Sequence, residues 1–293
     1  VSAITVKRDI RDVKQGFSSA LNQMATPHIT APITPAQHVK AGLKFTTLMI
    51  WLFAMLIPFL ILEGLKLRAS SHIVRIWHLG ARKITGIKVE VTGSPSETLP
   101  LLLLGNHTSY LDIPVINALF TVNFIAKSEV RSWPGIGFLA RCCQTIFVER
   151  RAIKSHEQIK ILRDKILPDR RLVLFAEGTS TDGSVVLPFK SSLMEFVFDE
   201  KIAEVCHVQP ITVLCLKDSA SESSPEPETV LYPWFDDTTL AFHFWRFMAT
   251  SGCTVKVHFS PSRAVSEFDN RKELTRWAHA WVQNGYDIIL KKA

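Results

Sequence analysis

Residues 101–115 read LLLLGNHTSYLDIPV. Consecutive leucines do not alternate as a strand with one wet face does. They suit a strand covered by helices on both faces, the usual condition of a parallel sheet. The run ends at Gly105, Asn106 and His107, and Asp112 follows five residues after the histidine. On one helix, two residues five apart lie about 140° round the axis from each other. His107 and Asp112 can therefore meet only if the histidine lies in the turn after the strand and the aspartate opens the next helix. Gly105 supports such a turn, and Thr108 or Ser109 is the expected cap. A carboxylate on one imidazole nitrogen fixes the tautomer and stabilises the cation when the other nitrogen takes a proton. That suits a base acting on a hydroxyl; by spacing alone it equally suits a structural pair.

The pattern recurs in LVLFAEGTSTDGS, residues 172–184. Another apolar strand stops at a polar, glycine-bearing turn holding Glu177, Gly178 and Thr179. Gly178 lets a ligand approach the backbone, and neighbouring N–H groups suit an anion or oxyanion; an ordinary turn reads the same way. In TIFVERR, residues 145–151, a strand delivers Glu149, Arg150 and Arg151. Arginine makes forked contacts with phosphate or carboxylate, and the alternative is a solvated charge cluster.

Strand patterns fall at 87–92, 99–104, 122–126, 145–149, 171–175, 208–215 and 254–259, with helical stretches near 112–120, 154–167 and 190–204. This alternation predicts an α/β fold, a central, mostly parallel sheet flanked by helices. Residues 217–229 are polar and acidic and read as an exposed loop. Leu274, Trp277, Ala278 and Trp281 form a late helical stripe.

An N-terminal membrane-anchoring helical segment is expected ahead of this sheet. Residues 45–62, FTTLMIWLFAMLIPFLIL, carry no charge and would run roughly 27 Å as a helix, near the lower limit for crossing hydrocarbon. A spanning helix, a kinked monotopic anchor at Pro58 and a buried core helix are the three readings. Lysines and arginines on both sides leave orientation open. Over 70–86, Ile73, Ile76, Trp77, Gly80 and Ile84 recur at helical spacing with Arg75, Arg82 and Lys83 off the stripe. Such a helix rests on anionic headgroups or packs on its own domain. The expected organisation is a polar segment at 1–40, ending in the linker-like TPHITAPITPAQ, membrane-associated helices at 41–86 and an α/β domain at 87–293.

Composition narrows the partners. The net charge of +7 draws the chain to polyanions, but no nucleic-acid motif accompanies it, so a lipid surface and no nucleic acid is expected. The five cysteines, Cys142, Cys143, Cys206, Cys215 and Cys253, are odd in number and form no Cys-x-x-Cys pair. That argues against a disulfide framework and against a metal site.

Taken in order, NHTSYLD, TIFVER, FAEGTS and VQPI resemble the four blocks of the glycerolipid acyltransferase superfamily, the family of 1-acylglycerol-3-phosphate acyltransferases. FIAKSEV at 124–130 and LPFKSSL at 187–193 are similar to family segments between the blocks. The resemblance covers roughly residues 85–215. It implies transfer of a fatty acyl group from a thioester on coenzyme A or acyl carrier protein to a lysolipid hydroxyl, with no tightly bound cofactor. By the same resemblance His107 is the general base and Asp112 its partner; Arg150, Glu177, Gly178, Thr179, Ser180 and Lys190 bind substrate; Pro210 is structural. It also implies a bacterial-type cytoplasmic (inner) membrane, with the catalytic domain facing the cytoplasm.

The chain departs from the family pattern at Gln144, where glycine is common, at Ala176, where proline is, and at Ser180, where arginine is. Losing the arginine removes a phosphate ligand. EGTSTDG followed by VLPFKSSL is similar to the bacterial branch that acylates lyso-ornithine lipid, while Arg150, Arg151 and Lys190 could still serve the phosphate of a lysophosphatidate. A thioesterase or lysophospholipase would need its own nucleophile, Ser109 or Ser180, and neither sits in a Gly-x-Ser-x-Gly elbow. A membrane-binding protein with a dead site conflicts with the intact His107 and Asp112.

Overall fold

The computed structural model describes residues 32–67, 69–149, 156–166, 170–216, 231–235 and 237–291. Arg150 and Arg151, the 217–229 loop and most of the 1–40 segment lie outside them.

Helices α1 (Pro35–Gly64) and α2 (Ser70–Thr85) precede the sheet. The strands are β1 (Ile87–Thr92), β2 (Leu101–Gly105), β3 (Asn123–Lys127), β4 (Ile146–Val148), β5 (Arg171–Phe175), β6 (His207–Leu216), β7 (Cys253–Phe259) and β8 (Arg263–Ala264). Between and after them come α3 (Asp112–Leu119), α4 (Ile136–Cys142), α5 (His156–Ile166), α6 (Glu200–Ala203), α7 (Leu240–Ala249) and α8 (Arg271–Lys291).

Every residue of β2 is buried, because β2 pairs in parallel with β5 on one side and β6 on the other. Its leucines serve two cores. Leu102 and Leu104 pack with Leu172, Leu174 and residues of α8 such as Leu274 and Ala278. Leu101 and Leu103 pack on the other face with Val115, Val173 and Phe247. Strand order is β1-β7-β6-β2-β5-β3-β4, with β8 beside β6. The run from β6 to β4 is parallel, β7 is antiparallel to β6, and β1 is parallel to β7. The sheet is thus mostly parallel, as expected, with one reversed edge. Its carboxyl edge carries the turns after β2 and β5 side by side, where open α/β sheets build sites.

Three expectations are corrected. TPAQ is not linker: Thr34 caps α1, its hydroxyl accepting from Gln37 N at 3.3 Å while Gln37 Oε1 accepts from Thr34 N at 2.8 Å. This is a capping box with proline in the first turn. The 190–204 stretch is a 3₁₀ helix over Ser191–Phe198 followed by the single turn α6. In α2 the buried positions are Ser70, His78, Ala81 and Thr85, while Ile76 is 43% exposed.

Helix α1 is long and apolar enough to cross a membrane, and only 11% of its apolar window is buried. Leu43, Ile50, Phe53, Ile57 and Ile61 are exposed, which overturns the buried-core reading. The helix is nevertheless tied to the sheet domain. Lys44 Nζ donates to Thr85 O at 2.8 Å and Thr250 O at 3.0 Å, capping the ends of α2 and α7 together. Trp51 Nε1 donates to Trp77 O at 3.0 Å. Gly80 makes this crossing possible, since a Cβ there would lie 2.1 Å from the Trp51 indole. On its other side α2 meets α3, and Arg75 donates to Leu119 O at 3.0 Å.

Candidate active site

At the end of β2, Gly105 has room for no side chain: a Cβ would meet Ile211 Cγ2 at 3.0 Å and Ile211 O at 3.2 Å. Asn106 then replaces the ladder as the backbone turns away. Its Nδ2 donates to Val213 O at 2.8 Å, and its Oδ1 accepts from Val213 N at 2.9 Å. The histidine behind it therefore starts from a fixed point on the sheet.

Asp112 is the first residue of α3, and His107 precedes that helix, as the angular argument requires. His107 Nδ1 donates to Asp112 Oδ2 at 2.8 Å, and the same oxygen accepts from Thr108 N at 2.9 Å and Ser109 N at 3.1 Å. Asp112 Oδ1 accepts from Tyr232 OH at 2.7 Å and Thr108 Oγ1 at 3.2 Å. The expected cap by Thr108 or Ser109 is absent: no side chain caps α3. The polarity is reversed, because the buried carboxylate is the stronger acceptor and gathers the turn's donors around itself. Ser109 is fully buried and its hydroxyl accepts from Leu111 N at 3.2 Å.

The His107 side chain is 23% exposed and that of Asp112 0%. With Nδ1 committed to the carboxylate, Nε2 is the nitrogen left for chemistry. The Phe175 ring lies against the imidazole, centroids 4.0 Å apart and planes 10° from parallel.

The turn after β5 closes onto the turn after β2. Ala176 N donates to Gly105 O at 3.0 Å, and Thr181 N donates to His107 O at 2.9 Å. Gly178 has φ +70°, and a Cβ there would lie 3.1 Å from Lys190 Cδ and 3.2 Å from its Nζ. The Lys190 ammonium thus rests against Gly178, while Lys190 N donates to Ala176 O at 2.9 Å. Glu177 points the other way. It is 1% exposed, and neither carboxylate oxygen has a well-aligned hydrogen bond among the described residues, the Leu187 and His107 backbone being close enough only to act on its charge. Burial pushes its carboxyl up to about 8; the Leu187 and His107 backbone pulls against this, and the charge of Asp112 adds to it. Thr179 is exposed and Ser180 half-buried. The predicted block therefore divides: Thr179 and Lys190 are exposed and Ser180 is half-buried, whereas Glu177 and Gly178 are buried, Gly178 under the Lys190 side chain.

Pro210 sits inside β6 opposite Leu104, and its carbonyl accepts from Ser260 N at 3.0 Å. It falls between the residues of β6 that pair with β8 and those that pair with β7, a place where the missing N–H leaves no ladder bond broken.

Asn106, Phe175 and Tyr232 were missed as site residues. Phe175 was legible as a strand end, but only its register opposite Gly105 turns it toward His107. Tyr232 reaches Asp112 across 120 residues of chain, and no local pattern announces it.

A buried carboxylate and an oriented imidazole with one nitrogen left over, with no serine aligned to it among the described residues, are the arrangement required of a base that acts on a bound hydroxyl and not on one of the enzyme's own. A family profile described as Acyltransferase matches residues 88–214. The chain is 35% identical over 204 residues to the lyso-ornithine lipid O-acyltransferase of Rhodobacter capsulatus, covering 69% of this chain and 71% of that one. It is 34% identical to the protein of the same name from Brucella abortus, over 78% and 87% of the two chains. It is 28% identical to the 1-acyl-sn-glycerol-3-phosphate acyltransferase of Neisseria gonorrhoeae, over 67% and 73%. The crystal structure of the 1-acyl-sn-glycerophosphate acyltransferase of Thermotoga maritima shares the fold, with TM-score 0.59, 21% identity and coverage of 86% of this chain and 94% of that one. The chain belongs to the acyltransferase family and is an enzyme that transfers acyl groups.

Proposed function

We propose that this enzyme moves a fatty acyl group from a thioester, on coenzyme A or acyl carrier protein, to the free hydroxyl of lyso-ornithine lipid, giving ornithine lipid. The observation that carries the acceptor is Ser180. It stands in EGTSTDG where the block that this stretch resembles has arginine, and the relatives of 35% and 34% identity bear the lyso-ornithine name. In the mechanism, His107 Nε2 takes the hydroxyl proton as the oxygen attacks the thioester carbonyl. Asp112 holds the imidazole and stabilises the imidazolium. The thiolate leaves and recovers the proton from His107. Thr179, Ser180 and Lys190 form the face that meets the acceptor, over the buried backbone of Gly178, and Glu177 supports that face from below; Arg150, outside the described residues, is assigned to the acceptor by the family resemblance alone.

Residues 41–86 are the membrane-associated part and 87–293 the acyltransferase domain. Helix α1 enters the cytoplasmic membrane, and the domain faces the cytoplasm, where both thioester donors are made.

One observation favours a second acceptor. The Lys190 ammonium against Gly178 is a place for the phosphate of 1-acylglycerol-3-phosphate, and the Neisseria gonorrhoeae relative carries that name. A hydrolase using Ser109 is disfavoured by that residue's burial and its hydrogen bond to Leu111 N. Offering both lysolipids in one reaction with labelled thioester decides between the acceptors. Preferential labelling of phosphatidic acid would overturn the ornithine reading.

A further inference from the structure

Asp112 divides its duties between its two oxygens. Oδ2 holds His107 and the N–H groups of Thr108 and Ser109; Oδ1 holds Tyr232 and, at a longer 3.2 Å, the Thr108 hydroxyl. Tyr232 is fully buried among the apolar residues on one face of the sheet, edge-on to Phe247. A phenylalanine would fill that space. The hydroxyl is costly to bury unless it is paired, and its single proton goes to the carboxylate at 2.7 Å, the shortest hydrogen bond Asp112 makes.

The segment carrying Tyr232 is itself fixed to the same turn. Trp234 N donates to Thr108 O at 2.8 Å. His243 of α7 donates from Nε2 to Pro233 O at 2.8 Å and accepts at Nδ1 from Tyr110 OH at 3.0 Å. Tyr232 therefore has no freedom to leave the carboxylate without also dislodging the residues that flank His107.

We propose that Tyr232 is a positioning residue for the catalytic dyad: its hydroxyl fixes the rotation of the Asp112 carboxylate and tempers its basicity, so that the proton His107 takes stays on the imidazole. Burial pushes the Tyr232 phenol well above its usual range, with the charge and hydrogen bond of Asp112 adding to the shift, so the phenol remains a donor. The other titratable groups facing this pair are His107 and Glu177 on the Asp112 side and the Cys215 and Cys253 thiols on the tyrosine side. The inference rests on the acyl-transfer reading for its kinetics but not for its geometry.

The test is Tyr232→Phe in the full-length enzyme in detergent, with two readouts. In the transfer assay kcat falls about tenfold or more while the acceptor KM stays within about twofold, and the acid limb of the pH profile moves upward. A carboxylate short of one donor is more basic and holds the imidazolium proton more tightly. In ¹⁵N-histidine-labelled protein, with the His107 signal assigned from His107→Ala, the His107 titration moves to higher pH in the variant. A variant that merely melts at lower temperature, with kcat, profile and titration unchanged, overturns the proposal. If the wild-type enzyme transfers no acyl group to any lysolipid, the proposed function falls, and the His107 titration still decides the part played by Tyr232.

Discussion

The Phe175 ring covers one face of the His107 imidazole, centroids 4.0 Å apart and planes 10° from parallel. It reaches there because β5 ends opposite Gly105, where no side chain intervenes. An aromatic face beside a forming imidazolium stabilises it electrostatically and also restricts the ring's rotation. Phe175→Leu keeps an apolar wall and loses both effects. Its kcat should fall several-fold with little change in the acceptor KM, measured by steady-state kinetics in detergent.

Asp112→Asn should be worse than its size suggests. At the Oδ2 position the amide nitrogen would face the His107, Thr108 and Ser109 N–H donors, and at the Oδ1 position it would bond only by turning the Tyr232 and Thr108 hydroxyls from donors into acceptors. The imidazole would also lose the acceptor that fixes its tautomer. We expect a loss of about 10³-fold or more in kcat, with about 1–3 kcal/mol of stability lost to unsatisfied donors. A folded Asp112→Asn enzyme that retained wild-type turnover would exclude the dyad mechanism.

How much of this was legible without coordinates differs from element to element. The leucine run announced a strand covered on both faces, and the five-residue interval with Gly105 placed His107 ahead of a helix opened by Asp112. These are local facts of period and angle. The face of α2 was misjudged because polar residues bury themselves by returning their hydrogen bonds to their own helix: His78 Nδ1 donates to Val74 O at 2.8 Å and Thr85 Oγ1 to Ala81 O at 2.8 Å. Counting apolar residues cannot see that. The turn at 191–198 has helical hydrophobic spacing, yet settles as 3₁₀ between β5 and β6. Glu177 read as a ligand-facing residue, while it is buried with Ala176 and Gly178 and the chain reaches solvent only at Thr179. Tyr232 depends on tertiary contact alone.

Glu177 gives a pH signature. Its carboxyl is raised by burial to about 8, so between about 4.5 and 8 the folded state binds more protons than the unfolded state. Stability then falls as pH rises through that window, by up to about 1.4 kcal/mol per pH unit for this one group. Glu177→Gln removes the titration. Melting curves of the two proteins should diverge as pH rises above about 4.5, the variant losing less stability toward pH 8; parallel curves would refute the assignment.

Ser180→Arg introduces the arginine of the block that EGTSTDG resembles. Half-buried on the turn whose outer side bears Lys190, an arginine there would make a second cationic contact. The ratio of lysophosphatidate to lyso-ornithine lipid turnover should rise about tenfold, the worth of roughly 1.4 kcal/mol in differential binding. An unchanged ratio in the competition assay would remove Ser180 from acceptor choice.

Gly80→Ala tests the seat of α1. The added methyl would overlap the Trp51 indole and displace its hydrogen bond to Trp77 O. Overpacking of this kind costs about 1–3 kcal/mol, read as a lower melting temperature in detergent and increased proteolysis between α1 and α2.

The bond from Tyr232 to Asp112 also sets an order of assembly. During translation the strand, the histidine and the aspartate emerge long before residue 232, and the stretch matched by the family profile, 88–214, is complete without it. Every motif residue can therefore be outside the ribosome while one oxygen of the carboxylate still waits for its phenol. The dyad is contiguous on paper but is finished late, by a residue from the far side of the fold. Until then the nascent chain carries its signature with one of the donors to its aspartate still missing.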